Sequence, residues 1–412
     1  MAKPSPFAIF LVLSLFSAVT AIASSAQTFT TLVTFDGTNG VEPGYGSLVL
    51  GSSGNFYGTT ESGGSSTGCT DGGGYGCGTI FEITPTGTLT TLHDFCSELN
   101  CADGILPFAG LVKGANGNFY GTTSFGGADG LGTVFEVTPE GTLTTPYAFC
   151  SQSNCADGEF PYAGLVSATN GNLYGTTSGG GANAAGTIFE ITPGGVLTTL
   201  YNFCSQPNCA DGEFVFGPLV QGRNGKLYGT TTQGGAEGAG TVFTITLAGK
   251  LTTLHTFTSD DGAGPYGGLL ETSAGNLLGT TTYGGLRGNG TVFQITPAGK
   301  LTTLYNFCVA TYCRDGANPL AGLIRGANGN LYGTTNSGGT SFHGTVFEMT
   351  PAGKLTTLYN FCSKADCTDG EYPLAGLVQS ADGILYGTTE EGGGLACHVA
   401  GYSCGTIFSL VP

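Results

Sequence analysis

Short apolar runs alternate with polar turns along this chain, and none holds a helical period over three turns. The stretch from Ala321 to Cys362 shows the pattern. Ala321-Gly322-Leu323-Ile324 leads through Gly326-Ala327-Asn328-Gly329 into Asn330-Leu331-Tyr332-Gly333-Thr334-Thr335. Gly344-Thr345-Val346-Phe347-Glu348-Met349-Thr350 and Leu355-Thr356-Thr357-Leu358-Tyr359-Asn360-Phe361 follow. All four segments are short, rich in β-branched and aromatic residues, and bounded by turn residues, so they read as strands, A to D in chain order.

The phrase recurs seven times. Its tyrosine falls at Tyr57, Tyr120, Tyr174, Tyr228, Tyr332 and Tyr386, with Leu278 in the fifth copy, in steps of 63, 54, 54, 50, 54 and 54 residues. So regular a period means one supersecondary unit stacked many times. A turns to B at Asn-Gly or a relative (Asn116-Gly117, Asn170-Gly171, Asn224-Gly225, Asn328-Gly329, Asp382-Gly383), dipeptides that supply the positive φ of a tight hairpin. C turns to D mostly at Pro-x-Gly, as at Pro351/Gly353. The B–C and D–A links are long and variable and hold every cysteine. Four antiparallel strands per repeat predict a propeller blade.

The ends of the repeat array test this. The array opens on a D segment, Phe29 to Phe35, and closes on a C segment, Gly405 to Leu410. The count reaches seven of each strand only if the first segment completes the last blade. The expected fold is therefore all-β: a seven-bladed β-propeller, four antiparallel strands per blade, closed by the N-terminal strand. A β-solenoid or two smaller sheets are the rival architectures, but an open solenoid wants capping repeats instead.

Residues 1–26 differ in character. Lys3 precedes an apolar run from Phe7 to Ile22, and small residues follow, so a secretory signal peptide cleaved after Ala23 or Ala26 is expected. Residues 27–412 then form one propeller domain, with no membrane span in the mature chain. Fourteen cysteines agree with export. Each has one near neighbour, which pairs Cys69/Cys77, Cys96/Cys101, Cys150/Cys155, Cys204/Cys209, Cys308/Cys313, Cys362/Cys367 and Cys397/Cys404. Zinc sites want closer pairs or histidines beside them, so disulfides are expected.

The run Tyr-Gly-Thr-Thr, Gly-Gly, Gly-Thr-Val-Phe-Glu-Ile-Thr-Pro, Gly-Lys-Leu-Thr-Thr-Leu-Tyr-Asn-Phe and Asp-Gly resembles the GloVer tandem repeat, from Phe29 to Leu410. That repeat defines bacterial "choice-of-anchor" surface or secreted proteins. The resemblance implies an exported repeat protein and carries over no catalytic residues. No sorting segment is seen at the C-terminus, which favours a free periplasmic or extracellular form over a surface-attached one.

Net charge is −17, and the blade geometry sorts it. The B–C and D–A loops emerge on one face with 20 acids against Arg287, Arg314 and Lys364. The opposite face holds Lys113, Arg223, Lys226, Lys250, Lys300, Arg325 and Lys354 against Glu140, Glu271 and Asp382. An acidic face repels nucleic acid and attracts cations, amines or basic peptides. Function is expected there, because variable loops on a rigid scaffold usually carry it.

The candidate binding residues are one Asp per unit, Asp36, Asp103, Asp157, Asp211, Asp261, Asp315 and Asp369, with Tyr75, His398 and Tyr402 from the two insertions. As a ring, the Asp residues could take Ca²⁺. As Asx turns, they shape the D–A loops. A calcium loop needs several alternating oxygens and each blade offers one, which favours the turn, and no cofactor is expected. Glu82, Glu136, Glu190 and Glu348 share one slot in strand C and read as structural because they recur. His93 and His255 stand in the Tyr slot of strand D and read as packing. His343 lacks metal-ligand spacing. The leading function is a binding scaffold for an unknown extracellular ligand, cationic or carbohydrate. With no Trp, sugar stacking falls to Tyr75, Phe125, Tyr283, Phe342 or Tyr402. The alternatives are an extracellular lyase or hydrolase and a purely structural envelope protein. Catalysis requires asymmetry among the copies, which points to the insertions Ser65–Gly78 and Gly394–Cys404 beside the first and last blades.

Overall fold

The computed structural model describes residues 27–66, 68, 69, 76–394 and 404–412. The segment 1–26 assigned to export, and Tyr75, Cys397, His398 and Tyr402, lie outside the described residues. The fold is a seven-bladed β-propeller: seven four-stranded antiparallel sheets in a ring. Blade 1 runs A to D as Val49–Leu50, Phe56–Thr60, Thr79–Ile83 and Leu89–Asp94. Blades 2 to 6 repeat it, and blade 7 takes its outer strand, Thr28–Thr34, from the front of the chain. That strand pairs with Thr406–Val411, Thr28 opposite Val411 and Thr34 opposite Thr406, which is the predicted closure.

Aromatic rings fasten each blade to the next. The Phe of strand C and the Phe after strand D are fully buried in every blade. They meet edge-on across each interface, from Phe95–Phe135 at 5.2 Å round to Phe361–Phe408 at 5.2 Å, and Phe35–Phe81 at 5.5 Å completes the circuit. Such pairs contribute about 0.5–1.5 kcal/mol each beyond their area. The glycine of Tyr-Gly-Thr-Thr exists for this ring: a Cβ on Gly58 would stand 2.5 Å from Phe81 Cζ. The outer strand adds a second hold, with Phe29 stacked on Tyr359 at 3.7 Å and beside Phe408 at 5.3 Å.

Strand A is shorter than its apolar run suggests, only two residues per blade, as at Ile324–Arg325. The Ala-Gly-Leu before it lies against the axis, where neighbouring backbones crowd. A Cβ on Gly322 would stand 2.6 Å from Gly268 O, and one on Gly110 2.7 Å from Ser47 O. Backbone this close to a neighbour favours glycine.

Candidate functional site

The recurring Asp is the keystone of its own D–A loop. In the loop from blade 2 to blade 3 Asp157 accepts from Tyr147 Oη (2.8 Å), Ser151 N (3.0 Å), Ser151 Oγ (3.0 Å) and Gln152 N (3.2 Å). Asp103, Asp157, Asp211 and Asp369 have no exposed surface, and Asp315 is nearly as buried. Burial opposes their charge, but the donors outweigh it and hold Asp103, Asp211 and Asp369 below the ordinary carboxylate range. His93 and His255 replace the tyrosine and reach the same partner, at 3.0 Å from Asp103 and 2.9 Å from Asp261. The slot thus selects a hydrogen-bonding tip as well as an aromatic body. Asp36 departs from the set: it caps Thr38 and Asn39 in a more open loop. The structure therefore keeps the seven Asp in seven separate loops and does not bring them together.

Disulfides close beside these carboxylates. Cys69–Cys77, Cys96–Cys101, Cys150–Cys155, Cys204–Cys209, Cys308–Cys313 and Cys362–Cys367 pair as expected, and Cys404 is also disulfide-bonded. Among the described residues no helix is long and apolar enough to cross a membrane.

The strand-C glutamates are held by the hairpin opposite. Glu190 Oε1 accepts from Tyr174 Oη (2.6 Å) and Asn172 Nδ2 (2.6 Å), and Glu136 and Glu348 repeat this. Where Leu278 removes the hydroxyl, the facing residue is Gln294, so the charge goes with its donor. In the Thr-Thr pairs, the second hydroxyl meets a strand-C threonine, as Thr177 meets Thr187 at 3.0 Å. The first bonds the neighbouring blade in five of the seven, as Thr334 Oγ1 does Ala375 O at 3.0 Å, while those of Thr176 and Thr388 find no partner.

With those groups accounted for, what remains is the centre of the loop face. Each D–A loop presents one side chain to the axis just before strand A: Tyr45, Phe108, Tyr162, Phe216, Tyr266, Leu320 and Leu374. Five aromatics and two leucines thus make a collar around a central cavity of about 380 Å³, floored by Leu111, Leu165, Leu269, Leu323 and Leu377. The aromatics touch in sequence: Tyr45 stacks on Phe108 at 4.0 Å, Phe108 meets Tyr162 at 5.1 Å, Tyr162 meets Phe216 at 5.3 Å, and Phe216 meets Tyr266 at 5.5 Å. None of the seven was foreseen as a site residue.

Two further rings surround the collar. The residue after each Thr-Thr is Glu61, Ser124, Ser178, Thr232, Thr282, Asn336 and Glu390. Its N–H donates to a residue with φ near +55°, in order Glu42, Leu106, Phe160, Phe214, Gly264, Asn318 and Tyr372. Carboxylates occupy these two rings only at the junction of blades 7 and 1: Glu42, Glu61 and Glu390. Among the described residues no Lys, Arg or His pairs with them, and the sole hydrogen bond to their carboxylates is a long one from Ser62 Oγ to Glu42, 3.4 Å. Burial, then the charges of Glu42 and Glu390, pushes Glu61 up to about 7. Burial, then Glu42 and Glu391, pushes Glu390 up to about 7. Glu42 is raised by burial, with Glu391 adding to it. These charges act on the collar. Burial, then Glu390 and Glu61, raises the Tyr45 hydroxyl, and burial, then Glu61, raises that of Tyr162. The copies differ here on residues outside the insertions Ser65–Gly78 and Gly394–Cys404 to which the sequence pointed, much of which lies outside the described residues.

Phe125 rests on Phe160 at 5.2 Å, Phe342 is exposed, and Tyr283, also exposed, stands beside the collar residue Tyr266: a Cβ on Gly264 would meet both, at 3.2 and 3.3 Å.

A tandem-repeat propeller with a collared central cavity is the class these features define. The chain belongs to the Gloeobacter/Verrucomicrobia repeat family, whose model matches residues 17–214 and 206–408. No curated protein is similar to it in sequence. Among solved structures, a protein of unknown function from Dyadobacter fermentans is similar at 12% identity and TM-score 0.48, covering 94% of this chain and 98% of that one. The periplasmic gluconolactonase of Pseudomonas aeruginosa is similar at 17% identity and TM-score 0.45, covering 76% and 84%. A gluconolactonase from Xanthomonas campestris follows at 13% identity and TM-score 0.41, covering 72% and 82%. At these levels the likeness concerns the fold alone.

Proposed function

We propose that the protein is an exported binding propeller whose ligand seats in the central cavity of the loop face. The observation that carries this is the collar: seven repeats each direct one apolar side chain at a single concave site, and five are aromatic. Concave, mostly apolar sites with a few polar groups are where small ligands and side chains of partners bind. The export-like N-terminal segment and the local disulfides support action outside the cytoplasm.

Tyrosine emission can report binding directly because the chain has no Trp. Titration of the mature protein with maltohexaose, hexalysine and tetramethylammonium should give saturable binding for at least one. A Phe108→Ala, Phe216→Ala variant should weaken it about tenfold or more while keeping its fold. Binding of none of the three, or binding untouched by the double substitution, overturns the reading.

One observation favours a second reading, an enzyme acting on an extracellular polymer. Glu61 and Glu390 are held near neutrality, where a carboxyl serves best as a general acid or base. A screen of dyed polysaccharides decides it: an activity lost in Glu61→Gln and Glu390→Gln supports catalysis, and no turnover removes it.

A further inference from the structure

The cavity joins two chemistries that usually occur apart. One wall is a chain of touching aromatics, Tyr45 to Tyr266. Behind the Leu374 side, outside the lining itself, stands Glu390, coupled electrostatically to Glu42, which in turn acts on Glu61, and the three have no basic partner among the described residues. Their placement by the cavity rests on contacts. A side chain placed on Gly44 would meet Leu374 Cδ1 at 3.5 Å and Glu390 Cγ at 4.0 Å, and Leu374 lines the cavity. Glu61 acts on the hydroxyls of both Tyr45 and Tyr162, which flank Phe108 in the collar.

A separate unsatisfied group lies at the same seam. Thr388 Oγ1 is buried without a partner, its residue only 1% exposed. In blades 1, 2, 5 and 6 the equivalent hydroxyl donates to the next blade just past its collar residue, at Ala109, Ala163, Ala321 and Ala375, and in blade 4 to Pro265, whereas Thr176 of blade 3 is as free as Thr388. For blade 7 the next blade is the first, and the equivalent segment is Tyr45–Ser47, on the cavity wall. What sets the seam apart is therefore its unpaired charge, since a free threonine hydroxyl occurs in blade 3 as well.

We propose that the cavity takes an organic cation, an alkylammonium group seated against the collar aromatics with Glu42, Glu61 and Glu390 as its counter-charge. The proposal rests on the collar being a binding site. Aromatic faces attract ammonium groups electrostatically, and more so when water is excluded. Anionic groups at one edge orient the cation and distinguish it from a neutral ligand of the same shape. A bare metal ion would use the carboxylates but gain little from the aromatics. A neutral sugar would use the aromatics and leave the carboxylates facing it unpaired.

The test compares choline with its uncharged isostere 3,3-dimethylbutan-1-ol, by calorimetry at pH 8, on the mature protein. Choline should bind about tenfold tighter or more. The Glu61→Gln, Glu390→Gln variant should lose that preference and bind the isostere as before, whereas Phe108→Ala should weaken both ligands. At pH 7 choline binding should release protons, seen as an enthalpy that varies with the buffer's ionisation heat. Equal affinity for the two ligands overturns the cation inference and leaves the collar standing as an apolar site. Failure of both ligands to bind also overturns the cation inference, and the collar reading is then decided by the maltohexaose and hexalysine titrations. The wild-type comparison stands alone if the double variant does not fold.

Discussion

Blade 3 and the seam between blades 7 and 1 come from one repeat, yet they treat acidic groups in opposite ways. In blade 3 and the loop leading into it each carboxylate of the local network has donors: Asp157 has Tyr147, Ser151 and Gln152, and Glu190 has Tyr174 and Asn172. The position after Thr-Thr is Ser178, whose hydroxyl is satisfied by Phe160 O at 3.0 Å. At the seam, Asp36 has lost the strand-D donor, because Val33 stands where a tyrosine would, and Glu61 and Glu390 fill the serine slot without donors. The lesson is that a repeated acid here comes with its hydrogen-bond partners built into the same repeat. An acid that breaks the repeat does not, and it remains available for something else.

The comparison can be broken from its largest effect downward. Removing residues 27–35 deprives blade 7 of its outer strand and the ring of Phe35, so cooperative thermal unfolding should be lost. A truncated protein that melts like its parent would show that closure is not what holds the ring. Next, Asp211→Ala should cost about 2–3 kcal/mol, read from urea midpoints, because Tyr201, Ser205 and Gln206 lose a charged acceptor. A smaller cost, about 2 kcal/mol, is expected of Cys150→Ser with Cys155→Ser, since the closed loop is short. The loop held by Asp261 already works without a disulfide, through Thr258 N at 2.9 Å and His255.

The smallest effect has the clearest sign. Asp211 and Asp369 lie below their ordinary value, so their contribution is present above pH 4 and lost as pH falls through their folded value. Glu61 and Glu390 lie above theirs, at about 7. Their contribution is full below the ordinary glutamate value of 4.5 and lost as pH rises through about 7. Glu61→Gln should therefore raise the melting temperature at pH 8 and flatten its decline between pH 5 and 8. An unchanged slope would mean that Glu61 is not desolvated as described.

Much of the fold was legible because the period, the turn dipeptides and the two strand types at the ends constrain one another. The site was not legible to the same degree. Phe108 or Tyr162, standing after a proline and before Ala-Gly-Leu, looks like one more strand residue, and only the ring brings seven such positions to one axis. The seam carboxylates left a usable signal: aligned after Thr-Thr, the copies read Glu, Ser, Ser, Thr, Thr, Asn, Glu. The Asp residues misled in emphasis. Asp-Gly in a loop suggests exposure, and their burial depends on a tyrosine or histidine ten residues away or fewer, which reads as packing until its polar tip is seen to have a partner.

The closure at Thr28–Thr34 also imposes an order of assembly. The strand that emerges first must wait for Thr406–Val411, the last to emerge, before either side of it has a partner. Throughout that interval Phe29 lacks Phe408 and Phe35 lacks Ile407, and a free strand edge is open to other chains. A ring sealed this way cannot mature blade by blade as an open stack does. Six repeats can fold on emergence, but the seventh waits for the last strand of the array, and anything that holds Thr28–Thr34 and Thr406–Val411 apart should arrest the protein one step short of native.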